Sequence, residues 1–193
     1  MASRIVLVRH GETDWSRSGR HTSVTDRPLT EHGRSEAAAL GRSLVGRAFS
    51  LVLSSPRRRA RETAALALPE AEVVVRQELA EWNYGDYEGL TSDEIHAQNP
   101  TWDLWREGCP GGESPSDVSA RADRLLAFAD GHDGEAVCVA HAHILRVVAA
   151  RWIGLGPEAG GLFMLDTATV SVLGHERQHR VVQHWNMPAA GSA

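Results

Sequence analysis

Short apolar runs bounded by polar residues recur along the chain and predict buried β-strands. The clearest four are residues 4–8, 51–53, 73–75 and 136–139. Each run is continuous rather than alternating, which is typical of strands that are covered on both faces. Two later runs, residues 169–173 and 180–185, also favour strands.

Apolar positions at helical spacing fill the intervals between these runs and predict five helices. Pro56 suits the first turn of the second helix, and Gly154 suits the end of the fifth. Thr91 and Glu94 have the spacing of a capping box at the start of the third helix. The five helices are residues 30–45, residues 56–68, a helix from Thr91, a helix from Ser114 with Pro115 at its first position, and residues 143–153. The alternation of strands and helices predicts an α/β protein.

No linker, repeat or low-complexity segment divides the chain of 193 residues. Residues 1–187 are therefore expected to form one domain, and residues 188–193 a loose tail. No apolar run is long enough to span a bilayer, and the N-terminal run is too short for a signal peptide. Cys109 and Cys138 are far apart in the sequence and fit reduced thiols. These features predict a cytoplasmic protein.

The net charge of −5 argues against a broad surface for nucleic acid or membranes, because such surfaces need a cationic excess. Neither partner is expected, whereas the sequence leaves a homo-oligomer open. A local cationic pocket is still compatible with this charge. The densest positive cluster is Arg57, Arg58, Arg59 and Arg61. Its plainer explanation is a solvated helix face.

Polar motifs follow three of the predicted strands at the points where the strands end. In open parallel α/β sheets, ligands bind beyond the carboxyl ends of the strands, so we expect the three motifs to converge on one crevice. The motifs are Arg9-His10-Gly11, Ser54-Ser55-Pro56 with Arg59, and His141-Ala142-His143.

The residue types in these motifs suit the binding and transfer of a phosphoryl group. The planar guanidinium groups of Arg9 and Arg59 can bind phosphate oxygens bidentately without losing their charge. The neutral imidazole of His10 can attack phosphorus and form a covalent intermediate, while Gly11 lets the backbone approach the phosphate. His141 can donate a hydrogen bond to the charge that accumulates on the transferring oxygens. We therefore expect His10 to be a nucleophile.

The reaction also needs an acid that protonates the leaving oxygen. Glu81 is the leading candidate, because its aromatic neighbours and a bound phosphate would favour its protonated form. Asp86 and Glu88 lie in the same segment and compete with it on charge alone. The spacing does not rank the three carboxyl groups.

Each motif also has a plainer explanation. A lone His-Gly pair after a strand is most often structural, because isolated motifs are weak evidence. His141 and His143 could instead be metal ligands. However, His-x-His lacks the third and fourth ligands of a zinc site, and the sequence contains no His-Glu-x-x-His helix. We therefore expect neither a metal nor a cofactor.

Taken together, the motifs resemble those of the histidine phosphatase superfamily, also called the phosphoglycerate mutase-like family. The matching runs are collinear and span most of the chain. They are Arg9 to Thr13, Pro28-Leu29-Thr30 with Gly33, Ser54-Ser55-Pro56 with Arg59-Ala60 and Thr63-Ala64, Glu81 with Tyr84-Gly85 and Glu88-Gly89, Gly112-Glu113-Ser114, and His141.

The resemblance implies a three-layer α/β/α sandwich with a mostly parallel central sheet. It also implies that His10 forms a phosphohistidine and that Glu81 is the proton donor. The phosphate pocket would be completed by Arg9, Arg59 and His141. Within the arginine cluster, the pattern of the family selects Arg59 for this pocket.

Several short runs look like the sedoheptulose-bisphosphatase branch of the superfamily. They are Trp15-Ser16 with Ser18-Gly19, Thr25-Asp26 before Pro28-Leu29-Thr30, Glu81-Trp82, residues 84–89, and Trp102 through Trp105-Arg106 with Gly108-Cys109. This likeness implies a small phosphorylated molecule as the partner, above all a sugar phosphate or bisphosphate. The candidate substrate-binding residues are Ser16, Thr22 and Ser23 near the phosphate, and Tyr84, Arg106 and His143 in the distal part of the pocket.

Two other functions compete with the hydrolysis of phosphomonoesters. A phosphoglycerate mutase would use the same phosphohistidine but would return the phosphoryl group to a sugar acid. The short chain offers little material for a lid that keeps water out, which favours a phosphatase. A catalytically silent phosphate-binding protein is the alternative of another class, and the presence of all five pocket residues argues against it.

Overall fold

Six strands form the central sheet of the computed structural model, which describes residues 2–189. They are β1 (Ala2–Arg9), β2 (Phe49–Ser54), β3 (Val73–Val75), β4 (Gly134–Ala140), β5 (Thr169–Glu176) and β6 (His179–Pro188). Their order in the sheet is β3-β2-β4-β1-β5-β6. Every predicted strand is present, and most extend beyond the apolar run that marked them.

The sheet is parallel except for one strand. β1 pairs with β4 in parallel register, with Leu7 opposite Cys138, and β2 pairs in parallel with both β3 and β4. β5 runs antiparallel to β1 and to β6. A tight turn with Arg177 at a φ of +54° joins β5 to β6, and such a hairpin requires antiparallel strands. The prediction of a mostly parallel sheet is therefore confirmed.

Helices lie between the strands, and seven of those within residues 2–189 are α-helices. They are α1 (Asp14–Arg17), α2 (Glu31–Leu44), α3 (Arg58–Ala67), α4 (Ser92–His96), α5 (Leu104–Glu107), α6 (Pro115–Asp130) and α7 (Ala142–Trp152). The five helices predicted from periodicity correspond to α2, α3, α4, α6 and α7. Four residues are too few to show a helical period, so α1 and α5 could not be predicted in this way.

Hydrogen bonds to the first N–H groups fix where the helices begin. The hydroxyl of Thr91 accepts from the N–H of Glu94, whose carboxylate accepts from the N–H of Thr91, so the predicted capping box is confirmed. The prediction for Pro56 is wrong, because α3 begins two residues later at Arg58. The N–H of Arg58 donates to the carboxylate of Asp26 at 2.9 Å. A loop that is distant in sequence therefore supplies the acceptor at the start of α3.

Helices cover both faces of the sheet and divide the core into two parts. Ile5 and Leu7 of β1 pack in a cluster with residues of α6 and α7, whereas Val6 and Val8 pack in a cluster with residues of α2 and α3. All four side chains are at most 1% exposed. This double coverage explains why the first run is apolar at successive positions, and it confirms the three-layer α/β/α sandwich.

Three further sequence predictions concern the chain end, the thiols and membranes. Of the predicted tail 188–193, Pro188 pairs in β6 and Ala189 is buried, while residues 190–193 lie outside the described residues. Cys109 and Cys138 are both free, and burial raises the pKa of each thiol to about 12. No helix between residues 2 and 189 has both the length and the apolar character needed to cross a membrane.

Candidate active site

The carboxyl ends of β1, β2 and β4 meet at one edge of the sheet, because these strands are parallel neighbours. The N–H of His10 donates to the carbonyl of Ala140 at 2.9 Å, and the N–H of Ser55 donates to that of Val139 at 3.0 Å. The rings of His10 and His141 lie edge to face with centroids 5.0 Å apart. A cavity of about 210 Å³ opens beside them. The three motifs therefore converge as expected.

The backbone holds the imidazole of His10 in one tautomer. Nδ1 lies 2.7 Å from the carbonyl oxygen of Gly11, which can only accept a hydrogen bond, so Nδ1 carries the proton. Burial and the nearby charges of Arg59 and Arg9 hold the pKa of His10 well below its usual range. The ring is thus neutral near pH 7. Nε2 keeps its lone pair, is open to the cavity and has no hydrogen-bond partner among residues 2–189.

Two glycines let the loop after β1 pack closely on α2. A Cβ atom at Gly11 would stand 2.3 Å from the carbonyl oxygen of Gly33, and one at Gly33 would stand 2.1 Å from that of Glu12. Neither distance is tolerated by a real side chain. The N–H of Gly11 also donates to the Thr63 hydroxyl of α3 at 3.1 Å. The loop that carries His10 is therefore fixed by two helices.

Arg59 sets the tautomer of His141. The Nε–H of Arg59 donates to Nδ1 of His141 at 3.1 Å, and because arginine cannot accept, Nδ1 of His141 is unprotonated. Burial and the charge of Arg59 hold the pKa of His141 well below its usual range, so its single ring proton is on Nε2. Nε2 lies 2.7 Å from the hydroxyl of Ser55. Nε2–H therefore donates to Ser55 here, and a phosphoryl oxygen at His10 would have to replace Ser55 as the acceptor. His141 and Arg59 lie beside His10 but are not among the residues that line the cavity.

Arg9 and Arg59 bring positive charge to this edge, and neither forms an ion pair with a carboxylate of residues 2–189. The two Nη atoms of Arg59 donate to the carbonyls of Thr22 at 2.9 Å and Thr25 at 3.3 Å, and the residue is 1% exposed. Arg9 lines the cavity and donates to the carbonyl of Leu165, while its Nε has no partner within residues 2–189. Burial lowers the pKa of both guanidinium groups. This excess of positive charge suits a phosphate dianion.

The carboxylate of Glu81 also lines the cavity and is held by three backbone N–H groups. Oε1 accepts from Trp82 and Ile144, each at 2.9 Å, and Oε2 accepts from His143 at 3.0 Å. His143 and Ile144 lie in the first turn of α7, where unpaired N–H groups and the helix dipole attract an anion. Glu81 therefore has a fixed position in the cavity that contains His10.

The structure separates Glu81 from the two carboxyl groups that competed with it. The carboxylate of Glu88 accepts from the N–H groups of Ser23 and Thr25, both at 2.9 Å, and so holds the loop that reaches Arg59. Asp86 packs against Gly111. Neither Asp86 nor Glu88 lines the cavity.

Four of the six predicted substrate-binding residues, Ser16, Thr22, Tyr84 and His143, line the cavity. The hydroxyls of Ser16 and Thr22 donate within their own loop, to the carbonyls of Thr13 and Arg20. The hydroxyl of Tyr84 lies 2.6 Å from Nδ1 of His143. Burial raises the pKa of Tyr84 and lowers that of His143, so both groups are neutral near pH 7.

The other two predicted substrate-binding residues, Ser23 and Arg106, do not line the cavity. Ser23 is buried, and its hydroxyl donates to the backbone carbonyl of Glu81 at 3.0 Å. This hydrogen bond helps to fix the backbone that carries the Glu81 side chain. The side chain of Arg106 is 82% exposed and pairs with Asp103 at 3.5 Å, because it lies on the solvent side of the short helix α5. The periodicity of the sequence gave no indication of α5.

Three further residues line the cavity that the sequence motifs did not indicate: Arg20, His21 and Ser92. The ring of His21 lies edge to face against Tyr84, with centroids 4.7 Å apart. Arg20 pairs with Thr91 in an isolated antiparallel β-bridge, and Ser92 follows Thr91 in the chain. A histidine within a polar loop carries no local signal of such a position, because the loop is placed by contacts with residues about 70 positions away.

A neutral Nε2 at a cavity that Arg9 lines, with Arg59 close by, is suited to covalent phosphoryl transfer. Among residues 2–189, no three His, Cys, Asp or Glu side chains are grouped as a metal site would require. Residues 5–188 match the family described as the histidine phosphatase superfamily (branch 1). The chain belongs to this superfamily and is a phosphohydrolase.

Individual relatives agree with this family. The chain is 42% identical over 177 residues to an acid phosphatase of Mycobacterium tuberculosis, and the alignment covers 90% of this chain and 87% of the relative. It is 34% identical over 189 residues to the sedoheptulose 1,7-bisphosphatase of Saccharomyces cerevisiae, and this alignment covers 81% of this chain and 69% of the relative. The solved structure of an open reading frame from Mycobacterium tuberculosis superimposes with a TM-score of 0.93 at 39% identity, covering 96% of this chain and 98% of the other.

Proposed function

We propose that this enzyme hydrolyses phosphomonoesters of small polyols, such as sugar phosphates, through a phosphohistidine on Nε2 of His10. The observation that carries the proposal is the hydrogen bond between Nδ1 of His10 and the carbonyl of Gly11. It leaves Nε2 as an unprotonated nucleophile at the cavity that Arg9 lines. The ring of His141, which accepts from Arg59, lies 5.0 Å from the ring of His10.

In the first step, the lone pair of Nε2 of His10 attacks phosphorus, and the bond between phosphorus and the ester oxygen breaks. Glu81, which takes up a proton together with the phosphate dianion, gives this proton to the ester oxygen, so the alcohol leaves in neutral form. The products of this step are the phosphohistidine and the Glu81 carboxylate. The three N–H groups that hold this carboxylate keep it within the cavity.

In the second step, the Glu81 carboxylate takes a proton from a water molecule, whose oxygen attacks phosphorus. The bond between phosphorus and Nε2 breaks, inorganic phosphate leaves, and both His10 and Glu81 return to their starting states. The guanidinium groups of Arg9 and Arg59 neutralise charge on the transferring oxygens in both steps, and the Nε2–H of His141 donates to one of them.

The class of substrate is supported by the relatives and by the cavity wall. One relative is a sedoheptulose 1,7-bisphosphatase, whose substrate is a phosphorylated sugar. In this chain, Tyr84, His143 and hydroxyl-bearing residues line the cavity beyond His10 and Arg9. Neutral hydrogen-bonding groups of this kind suit the hydroxyls of a sugar.

The proposal is tested by a phosphate-release screen over sugar monophosphates and bisphosphates, phosphoglycerates and nucleotides. Rapid acid-free quenching, with a substrate that is labelled in its phosphoryl group, should trap a phosphoenzyme in which the label is on a histidine. His10→Ala should form no phosphoenzyme and release no phosphate, whereas His32→Ala, on the exposed side of α2, should behave like the wild type. Undiminished turnover by His10→Ala would refute the proposal.

We also propose that the protein is cytoplasmic and that it does not bind nucleic acid. The net charge of −5 supports the second of these proposals.

A further inference from the structure

We propose that His21 determines specificity by accepting, at Nε2, a hydrogen bond from a hydroxyl group on the alcohol part of the substrate. The inference rests on the proposed function and deepens it, because it names the chemistry that recognises the substrate beyond its phosphate.

The tautomer of His21 is fixed by the backbone. Nδ1 of its ring lies 3.0 Å from the carbonyl oxygen of Leu90, which can only accept, so Nδ1 carries the ring proton. The backbone N–H of His21 donates to the same carbonyl at 2.9 Å, and the N–H of Gly89 donates to the carbonyl of His21 at 2.8 Å. This pairing with residues 89 and 90 leaves Nε2 as the acceptor of the ring.

Nε2 of His21 is available from the cavity. His21 lines the cavity and is 9% exposed, and within residues 2–189 its Nε2 has no hydrogen-bond partner and is not sealed from solvent. Burial lowers the pKa of His21, against the opposing charges of Glu81 and Glu88. The ring is therefore an acceptor at neutral pH rather than a cation.

Aromatic contacts hold the His21 ring rigidly. It stands edge to face against Tyr84 with centroids 4.7 Å apart, and against Trp102 at 5.7 Å. It also lies parallel to the ring of His143, with an angle of 4° between planes and 6.1 Å between centroids. An acceptor held in this way discriminates between hydroxyl positions, because it cannot move to follow the ligand.

The neighbouring Arg20 does not offer a competing site for a second anion. Its guanidinium donates to the carbonyl of Gly89 at 2.6 Å and to both carboxylate oxygens of Glu94, at 3.0 and 3.3 Å. Because this cation is already paired, the wall beside His21 favours a neutral hydroxyl over a second phosphate or a carboxylate. The preferred substrate class is thus a monophosphate of a polyol.

The test compares glycerol 1-phosphate with propyl phosphate, which share a three-carbon primary ester and differ by two hydroxyls. The wild type should prefer glycerol 1-phosphate in kcat/KM. His21→Phe keeps an aromatic ring against Tyr84 but removes the acceptor. It should lower kcat/KM for glycerol 1-phosphate about 10-fold and leave the value for propyl phosphate within about 3-fold.

Two further variants separate hydrogen bonding from packing. His21→Gln places an acceptor near the position of Nε2 and should restore the preference for glycerol 1-phosphate to within about 3-fold of the wild type. His184→Phe, at an exposed position of β6, should change neither substrate. An equal loss on both substrates in His21→Phe, no rescue by His21→Gln, or a wild type without preference would each overturn the inference.

The outcomes also distinguish this inference from the function on which it rests. A wild type that releases phosphate from no phosphomonoester in the screen overturns the proposed function. If the wild type is active and the His21→Phe variant keeps the preference for glycerol 1-phosphate, only the proposed role of His21 is overturned.

Discussion

The guanidinium of Arg59 donates its Nε–H to Nδ1 of His141 at 3.1 Å, while its two Nη atoms are held by backbone carbonyls. This bond does more than add positive charge near the nucleophile. It forces the proton of His141 onto Nε2, the atom that can donate to a phosphoryl oxygen. The same side chain thus both supplies charge and selects a tautomer.

Arg59→Lys should therefore be a severe change, although the charge is kept. Lysine has no planar fork and cannot hold His141 and two carbonyls at once. We expect kcat/KM for phosphate release to fall about 100-fold or more. Nitrogen-15 NMR of the imidazoles should show that His141 no longer populates only the Nε2–H tautomer. Arg58→Lys, on the exposed side of α3, is the matched control, and an Arg59→Lys enzyme as active as this control would contradict the role.

Glu81→Gln should reveal the acid through the leaving group. An alkyl alcohol needs a proton as it leaves, whereas p-nitrophenolate does not. We expect kcat/KM to fall at least about 100-fold for propyl phosphate but at most about 10-fold for p-nitrophenyl phosphate. Glu31→Gln, an exposed residue at the start of α2, should leave both values unchanged. An equal loss on both substrates would exclude Glu81 as the acid.

The buried histidines should make the fold sensitive to acid. Burial holds the pKa values of His10, His141 and His143 well below the usual 6.5, so the folded chain stays unprotonated there while the unfolded chain binds protons. Their contribution to stability is therefore fully present above pH 6.5 and is lost as the pH falls below it. The free energy of unfolding should drop by about 1.4 kcal/mol per pH unit for each histidine.

Urea unfolding between pH 7.5 and pH 5 measures this dependence. His143→Gln should reduce the slope by about 1.4 kcal/mol per pH unit relative to the wild type. His184→Gln, at an exposed position, should leave the slope unchanged. A His143→Gln slope equal to that of the wild type would show that His143 does not resist protonation in the folded state.

Gly33→Ala should disturb the nucleophile from a neighbouring helix. Its Cβ would stand 2.1 Å from the carbonyl oxygen of Glu12, in the loop that follows His10. We expect the free energy of unfolding to fall by about 3 kcal/mol, with a loss of phosphate release as the loop moves. Gly131→Ala is the control, because its Cβ would approach no atom closer than 3.3 Å. Equal stability of the two variants would rule out the tight contact.

Whether an element could be predicted from the sequence depends on where its stabilising contacts lie along the chain. The strand before His10 was predictable, because a strand covered on both faces must be apolar at successive positions. The start of α4 was predictable, because Thr91 and Glu94 form their capping box within four residues. The start of α3 was not, since its first N–H is satisfied by Asp26, which is 32 residues away in the chain.

The residues of the candidate site also differ in whether the sequence could indicate them. The sequence indicated His10 and His141, because each follows directly after a strand whose end could be located. Arg9 ends the first of these strands, whereas Arg59 was selected by the resemblance to the family. The sequence could not rank Glu81 against Glu88, since both are carboxyl groups in one polar segment. Their difference lies in partners from elsewhere: Glu81 is held by the first turn of α7, and Glu88 by the loop at residues 23–25.

The sequence by itself determined the α/β alternation and indicated a candidate nucleophile and candidate phosphate-binding motifs, because these depend on local periodicity and on residues near strand ends. Only the tertiary structure decided the contacts that distinguish Glu81 from Glu88, the tautomers of His10 and His141, the place of His21 in the cavity and the exclusion of Arg106 from it. With the exception of the His10 contact to Gly11, these features arise where segments distant in the chain meet, and a linear pattern does not record which donor faces which acceptor.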